Sequence, residues 1–201
     1  MAALAVVTTF PFLWLLATSL RASGTVFGFP PVLIPRPPTV ANFTGVWQTM
    51  PIGRFALNTV YITAVGIILT LATSALAGYP LARMRFPGRD LIFYTIVGSL
   101  MLPQHVGLIL NFVTLIRLHL VDTYAAVYLP GVASIFGIFL LRQAYLVIPQ
   151  DIEDAARIDG ADEMRLWAQV MLPLVTPALA TLAIVEFTGY WNSFLWPLIV
   201  L

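Results

Sequence analysis

The residues able to do chemistry in this 201-residue chain are few, and most are gathered in one stretch. Residues 149–173 read P-Q-D-I-E-D-A-A-R-I-D-G-A-D-E-M-R-L-W-A-Q-V-M-L-P, and six of the nine acidic residues lie between Asp151 and Glu163. Elsewhere ionisable groups are sparse. Glu186 is the one charge in residues 174–201, and the two histidines, His105 and His119, are too isolated to build a metal site without cysteine. No cysteine is present, so thiolate ligands and nucleophiles are excluded. No apolar run holds paired acids, a Ser/His arrangement or a His/Glu metal cluster, and no G-x-x-x-x-G-K-[ST] phosphate cradle occurs. We therefore expect no catalytic residue, no metal ligand and no cofactor. A formal net charge of +1 points to no nucleic-acid partner.

The elements carrying these residues are apolar. The chain is 60% hydrophobic and 9% charged, with a mean hydropathy of +0.92, whereas soluble domains carry about a quarter charged residues. Such a chain has no surface to show water, so the lipid bilayer is its first partner. A helix crossing about 30 Å of hydrocarbon needs about 20 apolar residues. Five runs qualify, at 1–20, 55–82, 91–116, 123–141 and 174–201. The expected fold is an all-α, polytopic transmembrane helical bundle, with residues 1–201 as one membrane domain. The first run lacks the basic flank and small-residue cleavage site of a signal peptide.

The arginines orient the path. Arg83, Arg85 and Arg89 crowd the turn after the second run, and Arg142, Arg157 and Arg165 sit in or beside 149–173. Basic loops stay in the cytoplasm, which places 149–173 there. Pro30, Pro31, Pro35, Pro37 and Pro38 then form an extended external connection. The fifth run ends at Leu201 with nothing polar to close it, and we expect the sequence to continue beyond that residue.

Within 149–173, Pro149 ends the fourth helix. Asp151 is expected to cap a short helix, with Asp154 as a shortened capping-box acid. Ile152, Ala155 and Ala156 form a narrow apolar face, Gly160 takes the left-handed position after the helix, and Asp162 caps a second helix. Acidic segments are not attracted to an anionic membrane surface, so this loop meets protein or water.

Asp154-Ala155-Ala156, three residues, Gly160, nine residues, then Val170-Met171-Leu172-Pro173 resembles the EAA loop of ATP-binding-cassette importer permeases. A-A-R-I-D-G-A and W-N-S-F-L-W-P-L-I (191–199) are similar to the carbohydrate-uptake branch, closest to the second membrane subunit of maltose-type systems. L-N-T (57–59) and G-Y-P-L-A-R (78–83) extend the similarity. The resemblance implies a prokaryotic inner-membrane permease of a binding-protein-dependent importer, moving a sugar or similar polar solute. It implies two cytoplasmic ATPase subunits, a homologous second permease and an extracytoplasmic solute-binding protein as partners, and a sixth span. Asp154, Ala155, Ala156, Gly160, Leu172 and Pro173 would form the element that docks on the ATPase. Two departures stand out: Asp154 replaces the motif's Glu, and Val170 replaces its Ile.

Inside the membrane, Glu186 shares a helical face with Gly189, Tyr190 and Ser193 at i+3, i+4 and i+7. An intramembrane ionisable residue is a functional candidate by default, and this stripe either lines a translocation path or ties the bundle together. Trp191 and Trp196 serve as interfacial anchors or, with Asn192, as sugar contacts. Gln104, His105 and Asn111 follow Pro103, which kinks its helix. Gly66, Gly78 and Gly98 are expected to permit close helix packing. A secondary transporter driven by an ion gradient is the alternative, but it would want several intramembrane ionisable groups at a repeat interface. One Glu and no internal repeat speak against it.

Overall fold

A computed structural model describes residues 2–22, 35–103 and 106–201, and every regular element among them is helical. The chain divides into two compact units, Met1–Asn58 and Thr59–Leu201. In the first, α1 (Ala2–Ser19) is apolar and ends against α2 (Ala41–Thr49). The Asn42 amide donates to the Ser19 and Arg21 carbonyls at 3.0 and 2.6 Å, satisfying groups that a helix end leaves open. Arg21 lies over the Trp14 ring, 5.2 Å from its centroid. Residues 23–34, with Pro30 and Pro31, and Gln104 and His105 lie outside the described residues.

The second unit is built around α3 (Ile52–Arg83), whose first turns belong to the preceding unit. Its 32 residues reach about 48 Å at 1.5 Å each, more than the hydrocarbon thickness requires. It is the one described helix long and apolar enough to cross a membrane unbroken. Two bent pairs raise the number to three if each is taken as a single span: Tyr124–Gly131 with Ile135–Val147, bent by 47°, and Glu163–Leu174 with Thr176–Trp191, bent by 72°.

The first two apolar runs fall in the continuous α1 and α3, whereas the other three are interrupted, and each break has a local cause. The 91–116 run splits into α4 (Arg89–Gly98), a 3-10 turn (Ser99–Met101) and α5 (Gly107–Arg117). Leu102, before Pro103, is extended at φ −78°, ψ 130°, because the proline ring disfavours helical geometry in the residue it follows. The fourth run becomes α6 (Tyr124–Tyr128) and α7 (Ile135–Val147), with Pro130 in a 3-10 turn between them. Thr123 and Ser134 cap these helices by accepting from Ala126 N and Gly137 N at 3.3 and 3.0 Å. The fifth becomes α11 (Thr176–Trp191) and α12 (Leu195–Val200).

The main core joins Ala75, Tyr79 and Ala82 of α3, Leu141 and Tyr145 of α7, and Leu182 of α11 to Leu166, Met171 and Val175. Gly78 brings α3 onto α7: a Cβ there would lie 3.2 Å from Arg142 N and 3.3 Å from Leu141 Cβ. Gly98 does not meet the same expectation. A Cβ there meets nothing within 4 Å among the described residues.

Candidate coupling loop and membrane cavity

The chain leaves α7 at Ile148 and enters α8 (Gln150–Ile158) directly. Pro149 is the flanking residue and makes no side-chain cap, so Asp151 sits in the first turn rather than capping it. There it still benefits from the helix dipole, as does Glu153. One face of α8 turns inward, with Glu153 3% exposed and Ala156 packed against the main core. The other face carries Asp154, Ala155 and Ile158, the last 85% exposed.

Glu153 is the centre of the loop's attachment. Its Oε1 lies 3.0 Å from Arg83 Nε, at the end of α3, and both side chains are withdrawn from water. The Arg83 N–H groups themselves donate to the Tyr145 carbonyl at 3.1 and 2.6 Å and to the Ile148 carbonyl. One guanidinium therefore closes the C-terminus of α7 and neutralises the acid of α8. Arg157 continues the chain of charge: it lies 3.5 Å from Glu153 Oε2, 3.6 Å from Asp154 Oδ1, and donates to Glu163 Oε1 at 3.0 Å. The Glu163 hydrogen bond raises the Arg157 pKa above its usual value. Glu163 Oε2 in turn accepts from the Tyr79 hydroxyl at 3.1 Å, returning to α3. The ring Arg83–Glu153–Arg157–Glu163–Tyr79 thus ties both helices of the loop to one end of α3.

The turn between those helices is made by Gly160 at φ +85°, a left-handed conformation that costs a residue with a Cβ about 1–2 kcal/mol. Asp162 then caps α9 (Glu163–Arg165), its Oδ1 accepting from Arg165 N at 2.7 Å. Replacing Asp162 by Ala removes that acceptor, and we expect a loss of about 1 kcal/mol in thermal unfolding of the purified protein. The helix widens to π geometry over Leu166–Met171 before α10 (Leu172–Leu174). Pro173 has no N–H to donate backwards, and such single wide turns relieve the ladder it breaks. Leu166 and Met171 are completely buried, and Trp167 Nε1 donates to the Tyr145 hydroxyl at 3.2 Å. The returning helical limb of the loop is therefore part of the bundle core.

A second site lies within the bundle. A cavity of about 340 Å³ is lined by Asn111, Glu186, Tyr190, Ser193 and Trp196, with Pro130 and Gly131 among its other walls. The Tyr190 hydroxyl donates to the Tyr128 carbonyl at 3.4 Å and shares a hydrogen bond with Thr70 at 3.3 Å. Trp196 Nε1 donates to the Ala126 carbonyl at 3.0 Å. Both rings are thereby held at the wall, while the Glu186 carboxyl has no hydrogen-bond partner among the described residues and is half-buried.

Four of the five residues singled out for a translocation path, Asn111, Glu186, Tyr190 and Ser193, come together here. Asn192 does not; its amide bonds to the Thr188 carbonyl at 2.9 Å. Trp191 stacks on Phe187 at 5.3 Å and is also absent from the walls. Of the loop residues, Asp154, Ala155, Gly160 and Pro173 are exposed, whereas Ala156 and Leu172 pack against the main core. Glu153 and Arg83 were not legible as partners: they are 70 positions apart, and Arg83 reads as one arginine of a basic turn.

The chain matches, over residues 2–201, the family of binding-protein-dependent transport system inner membrane components. It belongs to that family. The permease is 36% identical over 201 residues to the arabinooligosaccharides transport system permease protein AraQ of Halalkalibacterium halodurans, covering 98% of this chain and 72% of that one. It is 34% identical to the diacetylchitobiose uptake system permease protein NgcG of Streptomyces coelicolor, covering 96% and 64%. It is also 34% identical to the sn-glycerol-3-phosphate transport system permease protein UgpE of Yersinia pestis, covering 87% and 64%. The permease thus spans about two thirds of the length of these relatives. A crystal structure of a bacterial ABC transporter involved in the import of the acidic polysaccharide alginate shares its fold, with a TM-score of 0.90 over 100% of this chain and 71% of that one at 24% identity. The recognition of an importer permease from the spacing of residues 154–173 holds, as does the all-α membrane fold. Membership places the permease in the inner membrane as a transport component rather than an enzyme, and it favours binding-protein-dependent transport over an ion-gradient carrier.

Proposed function

We propose that residues 1–201 form a single permease domain of an ATP-driven importer that carries a sugar or a similar polar solute inward. Two cytoplasmic ATPase subunits, a homologous second permease and an extracytoplasmic binding protein complete the assembly. The relatives' names support the solute class: two handle oligosaccharides and the third a phosphorylated polyol. In this reading 149–173 faces the cytoplasm and docks on the ATPase, and the cavity at Glu186 belongs to the solute path.

The observation that carries the docking role is the division of α8 into two faces. Its inner face is fixed to α3 by the Glu153 ion pair, while its outer face offers Ala155 and Ile158 between Asp151 and Asp154. An apolar strip left in the open beside a firmly anchored face suits a protein partner. Asp154 keeps the charge of the motif's Glu, and only its weak 3.6 Å contact to Arg157 engages it.

Gly160 supplies the test, because a Cβ there meets nothing within 4 Å in the permease. Gly160→Asp is expected to cost the permease only the backbone strain of its left-handed turn, about 1–2 kcal/mol, yet to reduce co-purification of the ATPase at least tenfold. Retention of the ATPase at wild-type levels, with transport continuing in vesicles lacking ATP, would sink the docking role.

A further inference from the structure

A third cavity, of about 640 Å³, opens beside the inner face of α8. Arg83, Arg85, Arg89 and Arg157 line it with Glu153 and Glu163. The two carboxylates are already committed, Glu153 to Arg83 and Arg157 at 3.0 and 3.5 Å, and Glu163 to Arg157 and Tyr79 at 3.0 and 3.1 Å. Four arginines against two glutamates leave the walls with two positive charges in excess. Those charges sit on Arg85 and Arg89. Arg85 makes no hydrogen bond or ion pair with the described residues, and Arg89 pairs with Asp90 at 3.1 Å and donates to the Met84 carbonyl at 3.4 Å, in contacts open to water.

An adjoining cavity of about 420 Å³ shares Arg85 and Arg89 and is walled further by Phe86, Gly88, Asp90 and Leu91. The surroundings are apolar and open: Met84, Phe86, Leu146 and Leu91 are 39, 37, 43 and 72% exposed. Arg83 is the residue at which the long apolar run of α3 stops. Guanidinium groups present planar donors that fit phosphate oxygens, and the cavity has room for roughly twenty waters at about 30 Å³ each. A lone inorganic anion would answer the arginines but neither the volume nor the apolar rim. A molecule with a phosphate at one end and hydrocarbon at the other answers all three.

We propose that this arginine-walled cavity binds the phosphodiester headgroup of an anionic phospholipid of the cytoplasmic leaflet. Arg85 and Arg89 hold the phosphate, Arg83 and Arg157 stand behind them, and the acyl chains run along the exposed side chains of Leu91 and Met84. Basic pockets at the cytoplasmic ends of membrane helices suit such headgroups. The leaflet assignment rests on the cytoplasmic placement of 149–173 proposed above.

The test uses the assembled transporter, purified in detergent with equal amounts of phosphatidylglycerol and phosphatidylcholine, with retained lipid counted by native mass spectrometry. Wild type should retain phosphatidylglycerol preferentially, and the Arg85→Ala/Arg89→Ala variant should lose that preference by about thirtyfold. Arg165→Ala, which removes an arginine outside the cavity, should retain it. Unchanged retention in the double variant overturns the site, and equal loss in Arg165→Ala reduces it to general charge. Displacement of the lipid by millimolar glycerol phosphate would reassign the cavity to a soluble anion. Labelling of Gln150→Cys from the cytoplasmic side tests the orientation separately. If that residue is labelled from the outer side while lipid retention follows Arg85 and Arg89, the headgroup site stands and the leaflet and docking reading fall.

Discussion

Glu153→Ala is expected to be the most damaging single change in the loop, destabilising the permease by about 3 kcal/mol. Removing the carboxylate leaves the Arg83 guanidinium, whose side chain is 11% exposed, without its counter-charge. A buried charge stripped of its partner costs more than the pair ever contributed, because the remaining ion still lacks water. The loss should sit toward the low end of the usual range, since Arg83 keeps its bonds to the Tyr145 and Ile148 carbonyls and Arg157 keeps Glu163. A double-mutant cycle with Arg83→Met separates pairing from packing. The two single changes should together cost more than the double variant by at least 1 kcal/mol in thermal unfolding. Strict additivity would show that the two side chains are near each other without being coupled. In the assembled importer, Glu153→Ala should lower transport more than it lowers ATPase co-purification, because the docking face of α8 is untouched while its attachment to α3 is lost. A parallel fall in both would instead mean that the ion pair merely shapes the docking face.

Gly66→Ala is expected to have the next largest effect, and it acts on the cavity rather than the loop. A Cβ at Gly66 would fall 2.7, 2.8 and 2.9 Å from Cζ, Cε1 and Cε2 of Tyr190. These approaches are too close to keep, so either α3 or the ring must move. The ring has little room. Its hydroxyl is tied to Tyr128 and Thr70, and a Cβ at Gly131 would lie 2.9 Å from the same oxygen. Overpacking of this kind costs about 1–3 kcal/mol, and the open side for the ring is the 340 Å³ cavity it lines. The measurement is unfolding of the purified permease together with solute uptake, and Gly66→Ala/Tyr190→Leu should recover most of the lost stability. Wild-type behaviour of the single variant would show that the Tyr190 wall is soft and that Gly66 is not needed to seat it.

These two positions show how unevenly the chain could be read. Gly66 was expected to permit close packing, and it does, but the partner was invisible. Tyr190 lies 124 positions away, on a helix whose rotation depends on the break at Pro173 and Val175. Glu153 lies next to the motif position that Asp154 fills, on a different helical face, and periodicity alone names no partner for it. The packing of α8 decides which of the two faces turns inward, burying Glu153 and leaving Asp154 exposed.

Local chemistry was legible wherever one residue decides its own backbone. Gly160 takes a positive φ, Asp162 caps, and Pro103 forces Leu102 out of helical geometry, ending the helix rather than kinking it, because each effect needs only the residue and its immediate neighbours. The stripe Glu186, Gly189, Tyr190 and Ser193 was legible for a similar reason, since helical periodicity alone puts the four on one side. Composition determined membrane character, and the spacing from Asp154 to Pro173 determined the family, both without tertiary information. What the tertiary structure decided is which groups meet. It kept two of the five apolar runs as continuous helices and broke the other three, brought Asn111 across to Glu186, and left Asn192 outside. It also set Arg83 against Glu153 and gathered four arginines around one cavity. The physical reason is common to all of these. Backbone conformation is set by forces acting over a few residues, whereas ion pairs and cavity walls depend on the packing angles of whole helices, which no short stretch of sequence contains.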